Sequence, residues 1–135
     1  MFGKASKPQN RIDSLIGGNT RIEGYVHFSG GLRIDGVVRG NVAALPDQPG
    51  TLVISEHARV DGEVLVAHLV VNGAINGSVH ATETLELQSS SRVKGDVQYK
   101  SIEMHQGAIV EGRLVHQDGG VSGIKPVELK LASGS

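Results

Sequence analysis

Val60-Asp-Gly-Glu-Val64 is one of six copies of a single phrase: an aliphatic residue, any residue, glycine, any residue, a second aliphatic. The other copies are Ile22-Glu-Gly-Tyr-Val26, Val38-Arg-Gly-Asn-Val42, Ile75-Asn-Gly-Ser-Val79, Val93-Lys-Gly-Asp-Val97 and Val110-Glu-Gly-Arg-Leu114. Their glycines are Gly24, Gly40, Gly62, Gly77, Gly95 and Gly112. A second set of aliphatics keeps step with them. Leu15, Leu32, Leu52, Leu69, Leu85 and Ile102 recur at intervals of 17, 20, 17, 16 and 17 residues. From Leu32 onward each opens an aliphatic pair: Leu32/Ile34, Leu52/Ile54, Leu69/Val71, Leu85/Leu87 and Ile102/Met104. The long interval holds Ala43-Ala-Leu-Pro-Asp-Gln-Pro-Gly50, whose prolines and closing glycine read as an inserted loop. Without it the chain repeats about every 17 residues, a unit that buries its apolar face only against its neighbours.

Apolar residues two apart with polar residues between them have the period of a strand. A coil of about 17 residues holds about three short strands joined by tight corners. A glycine two residues after the aliphatic falls where the strand must bend and where a side chain is least tolerated. The spacing therefore predicts an all-β, single-domain parallel β-helix of about six coils, each with three short strands. The expected division is a flexible tail over residues 1–13, a β-helix core over 14–116 and a flexible tail over 117–135.

Composition narrows the function. A chain of 135 residues allows one domain, and 19 glycines with few aromatics suit a thin aliphatic column. Tyr25, Phe28 and Tyr99 are the aromatics placed to fill its interior or a corner. With no cysteine there is neither a disulfide nor a thiolate site, which is compatible with a reducing compartment. No run of 18 apolar residues and no signal peptide are present, so a cytosolic protein is expected. A net charge of −1, evenly spread, offers no footprint for nucleic acid.

The residues just before the repeat glycines are Glu23, Arg39, Asp61, Asn76, Lys94 and Glu111. Stacked coils turn them into one outward ladder in which no two neighbours share a sign, although each step is worth only a few tenths of a kcal/mol. The ends of the ladder matter more. A β-helix leaves unpaired strand edges on its first and last coils, and neither flank reads as a lid. Open edges allow coils of separate molecules to continue the hydrogen bonding, which yields a filament. Leu15, Ile16, Ile22, Ile102, Met104, Val110 and Leu114 are the expected end-face residues. The alternative is that Val127-Glu-Leu-Lys-Leu131, which alternates apolar and polar, folds back as a capping strand.

The N-terminus, Met1-Phe2-Gly3-Lys4-Ala5-Ser6-Lys7-Pro8-Gln9-Asn10-Arg11, carries three cations and one large apolar side chain beside the initiator methionine. Met1 and Phe2 inserted at a bilayer interface add a few kcal/mol, and Lys4, Lys7 and Arg11 add about 1 kcal/mol each near anionic lipid. One such tail anchors weakly; many along a polymer anchor firmly. The other reading is an ordinary disordered terminus.

Leu15-Ile-Gly-Gly-Asn-Thr-Arg-Ile-Glu-Gly24, then Gly31-Leu-Arg-Ile-Asp-Gly-Val-Val-Arg-Gly-Asn-Val42, with Met1-Phe2-Gly3-Lys4 in front, resembles a bactofilin. The resemblance runs from the N-terminus to about Leu114. It implies a right-handed parallel β-helix that polymerises without nucleotide into non-polar filaments, joined head to head and tail to tail. It also implies a bacterial cytoskeletal scaffold on the inner face of the membrane that recruits cell-wall synthesising or remodelling proteins. The family's membrane-targeting segment maps onto Met1, Phe2, Lys4 and Lys7.

Two other classes are weighed beside this one. A left-handed β-helix hosts acyltransferases and zinc-dependent hydratases, but its hexapeptide rhythm gives a strict 18-residue coil that the spacing here fits poorly. His27, His57, His68, His80, His105 and His116 show no HxH or HxxxH spacing, whereas zinc catalysis needs three converging ligands. No phosphate loop, paired glycosidase carboxylates or cofactor motif is visible, so no enzyme, metal or cofactor is expected. A passive binding module is the third class, with Val37, Val66 and Ile109 as apolar patches outside the column.

Overall fold

Parallel stacking sets each coil on the equivalent residues of the one before it, and three ladders of such pairs build the molecule. The computed structural model describes residues 11–46 and 48–117. The first side runs through β1 (Ser14–Ile16), β4 (Gly30–Ile34) and β7 (Gly50–Ile54), then the later parts of β9 (Val64–Val71), β11 (Val79–Leu87) and β13 (Val97–Met104). The second side is β2 (Arg21–Glu23), β5 (Val37–Arg39), β8 (Arg59–Asp61), β10 (Ala74–Asn76), β12 (Arg92–Lys94) and β14 (Ile109–Glu111). On the third side lie β3 (Val26–Phe28), β6 (Val42–Ala44), the opening parts of β9, β11 and β13, and β15 (Leu114–His116). Each side has six rungs, every pairing is parallel, and the described residues hold no helix that could cross a membrane. The parallel β-solenoid of about six coils expected from the spacing is what the chain forms.

Aliphatic columns fill the interior. Val38, Val60, Ile75 and Val93 stack in direct register on the second side, and Leu32, Leu52, Leu69 and Leu85 on the first, all at most 3% exposed. Burying each such side chain stabilises by roughly 1.5–3 kcal/mol. The column is thin, so these aliphatics touch one another across three sides and form one continuous core. Phe28 is buried in it and Tyr99 packs against it, while Tyr25 is 73% exposed at a corner.

The repeat glycines stack at the corner between the second and third sides. At Gly77 φ is +152°, and a Cβ added there would overlap the carbonyl oxygen of Gly62 one coil below. Gly24 has the same left-handed backbone, at φ +134°, yet an added Cβ would meet nothing, because among the described residues no coil lies beneath it. The corner is also secured from outside. Asn41 and Asp96, each following a repeat glycine, accept the backbone N–H of Glu63 at 2.9 Å and of Arg113 at 3.1 Å from the next coil.

Three sequence expectations need correction. Leu15 does not begin the Leu32 column: Ser14 pairs with Leu32, Leu15 with Arg33 and Ile16 with Ile34. The four-residue corner 17–20 recurs at 55–58 and 88–91, but the step from Val26 on the third side to Leu32 on the first is one residue longer than the equivalent steps from Val64 to Leu69 and from Val97 to Ile102; the fixed period slips by one there, and Leu15 points outward at 60% exposure. Val66 is not an outer patch. Strand alternation turns Val64 and Val66 inward, with Val66 2% exposed, and leaves Leu65 outside at 47%. The insertion is also narrower than the sequence suggests, since Ala43 and Ala44 belong to β6 and Gly50 opens β7.

Gly77→Ala combines an unfavourable φ with a backbone overlap and should cost about 3 kcal/mol or more, against about 1–2 kcal/mol for Gly24→Ala, which meets only the backbone term. Urea denaturation of the two variants gives this difference, and equal losses would contradict the stacked-glycine account.

Candidate assembly surfaces

The columns that are sealed in mid-molecule open at the last coil on all three sides, and at the first coil on the second and third sides. On the second side Ile22 and Val110, at the two ends of the Val38–Val93 column, are half-buried. Across the third side Val42, Val64, Val79 and Val97 are at most 2% exposed, yet Leu114 on the last rung is 43% exposed and Val26 on the first is half-buried. Met104 closes the column of Ile34, Ile54, Val71 and Leu87, all 0% exposed, and is itself 45% exposed. Ile102 is half-buried beside it, and Ile16 at the other end is buried. Of the expected end-face residues, Ile16, Ile22, Ile102, Met104, Val110 and Leu114 thus terminate inward columns; Leu15 lies on the outer side of the first rung.

Among the described residues, β2 and β14 each pair on one side alone, as do β1, β3 and β15. Their outer backbone groups are strand edges of the kind that pair with another chain. Residues 11–13 pass beneath part of the first side: the Asp13 N–H donates to the Gly31 carbonyl at 2.8 Å, and the Gly31 N–H donates to the Asp13 carboxylate at 2.9 Å. The second and third sides have no such cover from the described residues. Val127–Leu131, the candidate capping strand, lies outside the described residues.

Outside the column, Glu23, Arg39, Asp61, Asn76, Lys94 and Glu111 form one unbroken ladder. Arg39 lies 3.9 Å from Asp61 within it. A further device, not singled out in the sequence, is an arginine two residues before an acid on the same outward face. Arg11–Asp13, Arg21–Glu23, Arg33–Asp35 and Arg59–Asp61 pair at 2.9–3.3 Å. The signal was legible, since residues i and i+2 of a strand share a face. Such exposed pairs contribute at most about 1 kcal/mol each, and they keep the sides of the column polar.

Of the tail residues, Met1, Phe2, Lys4 and Lys7 lie outside the described residues; Arg11 is exposed and pairs with Asp13 at 3.0 Å. The histidines are dispersed, and no three of them converge among the described residues. Tyr25 stands beside His27 and Tyr99 beside His116. His68 lies in a polar ladder between Thr51 and Thr84, with Nδ1 2.8 Å from the Thr84 hydroxyl.

A parallel β-solenoid whose described end coils expose the aliphatics of its inner columns is the class of protein these features define. Residues 14–115 match the Bactofilin family, described as polymer-forming cytoskeletal. The chain belongs to that family. Over 109 residues it is 27% identical to Bactofilin BacP of Myxococcus xanthus (strain DK1622), covering 81% of this chain and 44% of BacP. Over 102 residues it is 24% identical to Bactofilin BacO of the same organism, covering 76% of this chain and 78% of BacO. The chain therefore spans less than half the length of BacP. No solved structure matches it. A polymer-forming cytoskeletal protein, with self-association as its basic interaction, is the reading the family supports.

The pH dependence of stability has two sources. Burial pushes the His68 imidazole below its ordinary value, so the unfolded chain takes up that proton first and stability falls as pH drops through about 6.5. The carboxyls of Asp13, Asp35 and Asp96 are held below their ordinary range by hydrogen bonds, chiefly from the Gly31 N–H, the Ser55 hydroxyl and the Arg113 N–H respectively. A depressed carboxyl adds stability above the unfolded value, near pH 4, and that stability is lost as pH falls toward the folded value. Urea midpoints measured from pH 8 to 3 should decline in two stages, with the upper stage reduced in His68→Gln. An unchanged upper stage in that variant would remove His68 from the account.

Proposed function

We propose that this chain polymerises without nucleotide, by end-on stacking of its solenoid, into non-polar filaments at the inner face of the bacterial membrane, where they position cell-wall or morphogenesis proteins. The opening of the second- and third-side aliphatic columns at both ends carries the reading. Burying Ile22 and Val110 against a second copy would give each the environment that Val38, Val60, Ile75 and Val93 already have, and the edge strands would gain their missing hydrogen bonds.

The charge ladder favours joints of like ends. Continuing the register head to tail would set β14 on β2, with Glu111 over Glu23 and Ile109 over Arg21, the first like-charge neighbours in the ladder. Antiparallel pairing of β2 with its copy about Ile22 would instead place Arg21 opposite the copy's Glu23 and Glu23 opposite its Arg21. The corresponding joint about Val110 sets Glu111 against Ile109 and avoids the acid pair. Polarity is thereby cancelled along the filament.

Membrane attachment rests on Met1, Phe2, Lys4, Lys7 and Arg11, each contributing weakly and all multiplied by the polymer. Recruitment of cell-wall proteins follows as the use of such a scaffold.

High-speed sedimentation of the purified chain without nucleotide should pellet the protein, while Ile22→Arg and Leu114→Arg should leave most of it in the supernatant. Circular dichroism must show strand content retained; a folded Leu114→Arg variant that pellets like the parent would contradict end-on assembly. Separately, removal of residues 1–10 should abolish co-sedimentation with anionic liposomes, scored by flotation, and leave polymerisation intact. Undiminished flotation of the shortened chain would exclude the N-terminal anchor.

A further inference from the structure

We propose that Glu86, Glu103 and His105 bind a divalent transition-metal cation on the outer face of the last two coils. The site is created by stacking. Glu86 on coil five and Glu103 on coil six are register partners, so their carboxylates project from adjacent rungs of one face. Like charges directly opposite each other in a ladder destabilise it. His105 follows Glu103 by two residues, and its Nε2 lies 2.9 Å from Glu86 Oε2 and 3.4 Å from Glu103 Oε2. The three atoms lie within 4.8 Å of one another.

The two imidazole–carboxylate separations are those of neighbouring ligands around one ion. Bonds of about 2.1 Å to nitrogen and oxygen place neighbouring donor atoms about 3.0 Å apart at octahedral angles and about 3.4 Å apart at tetrahedral ones. One imidazole with two carboxylates is a donor set for zinc and neighbouring divalent metals, with the remaining positions left to water. The side chains are 32–71% exposed, so an ion enters directly from solvent. Gln88 Nε2 donates to Glu86 Oε2 at 3.4 Å and steadies that carboxylate from behind.

The charge pattern points the same way. Among described residues, the other ion-paired acids, Asp13, Glu23, Asp35, Asp61, Glu83 and Asp96, are partnered by arginine or lysine. Glu86 and Glu103 are paired with the imidazole and with neither arginine nor lysine. The imidazole presents one nitrogen, Nε2, to two carboxylates, whereas a dication at the centre of the triad neutralises both. Because Glu103 and His105 belong to the last coil, the bound ion would tie that coil to the one before it.

Calorimetric titration of the intact chain with Zn²⁺ alone at pH 7.5, followed by thermal unfolding, tests the site. One ion should bind per chain and raise the melting temperature, since a ligand held only by the folded state stabilises it. Glu103→Gln and His105→Gln should each weaken binding about tenfold or more and remove the thermal gain, while His57→Gln should leave both unchanged. The absence of saturable binding overturns the proposal, as does full affinity in a folded Glu103→Gln/His105→Gln double variant, which would place the ion at other histidines.

Discussion

In a parallel solenoid each residue rests on its counterpart one coil below, about 4.8 Å away, so every position is judged by what repeats it. An aliphatic is stable in the interior because an aliphatic lies above and below it. A glycine is required at the corner because the carbonyl of the preceding glycine occupies the space of a side chain. An outward charge is tolerated because its neighbours differ in sign. The fold has no centre to which all elements converge, and its stability is close to a sum over interfaces between coils. Such a sum has no natural end: the last coil lacks on one side what every inner coil has on both.

That incompleteness links architecture to the polymer-forming cytoskeletal family. The inward columns of this chain are sealed laterally by the coils themselves, whereas at the last coil the same columns reach the surface. Exposed Leu114 and Met104 belong to the same columns as fully buried Val97 and Leu87. The sides, by contrast, carry arginine–acid pairs and the mixed-sign ladder, which give little attraction to a lateral neighbour. The proposed metal triad is the exception, a place where stacking has brought together two acids that no arginine or lysine offsets.

The repeat made most of the fold legible. Six glycine phrases located six rungs and three sides, and the outward ladder followed from the residue before each glycine. What the period could not supply was the length of individual corners. One additional residue between Val26 and Leu32 displaced Leu15 from the Leu32 column, and the alternation within Val64-Leu-Val66 was needed to turn Val66 inward. Surface constellations were less legible still. Glu86 and Glu103 are 17 residues apart and belong to no linear motif; they meet because that distance is one coil, and His105 joins them only through the corner that follows.

The central claim is that the free ends of the column are completed by another copy. A cryo-electron microscopy map of polymers grown from the purified chain, at a resolution that separates rungs, examines it most directly. The account predicts an unbroken ladder at about 4.8 Å spacing across each joint, with coil direction reversing from one molecule to the next. Polymers held through the lateral faces, with water-filled gaps between the ends, would contradict it.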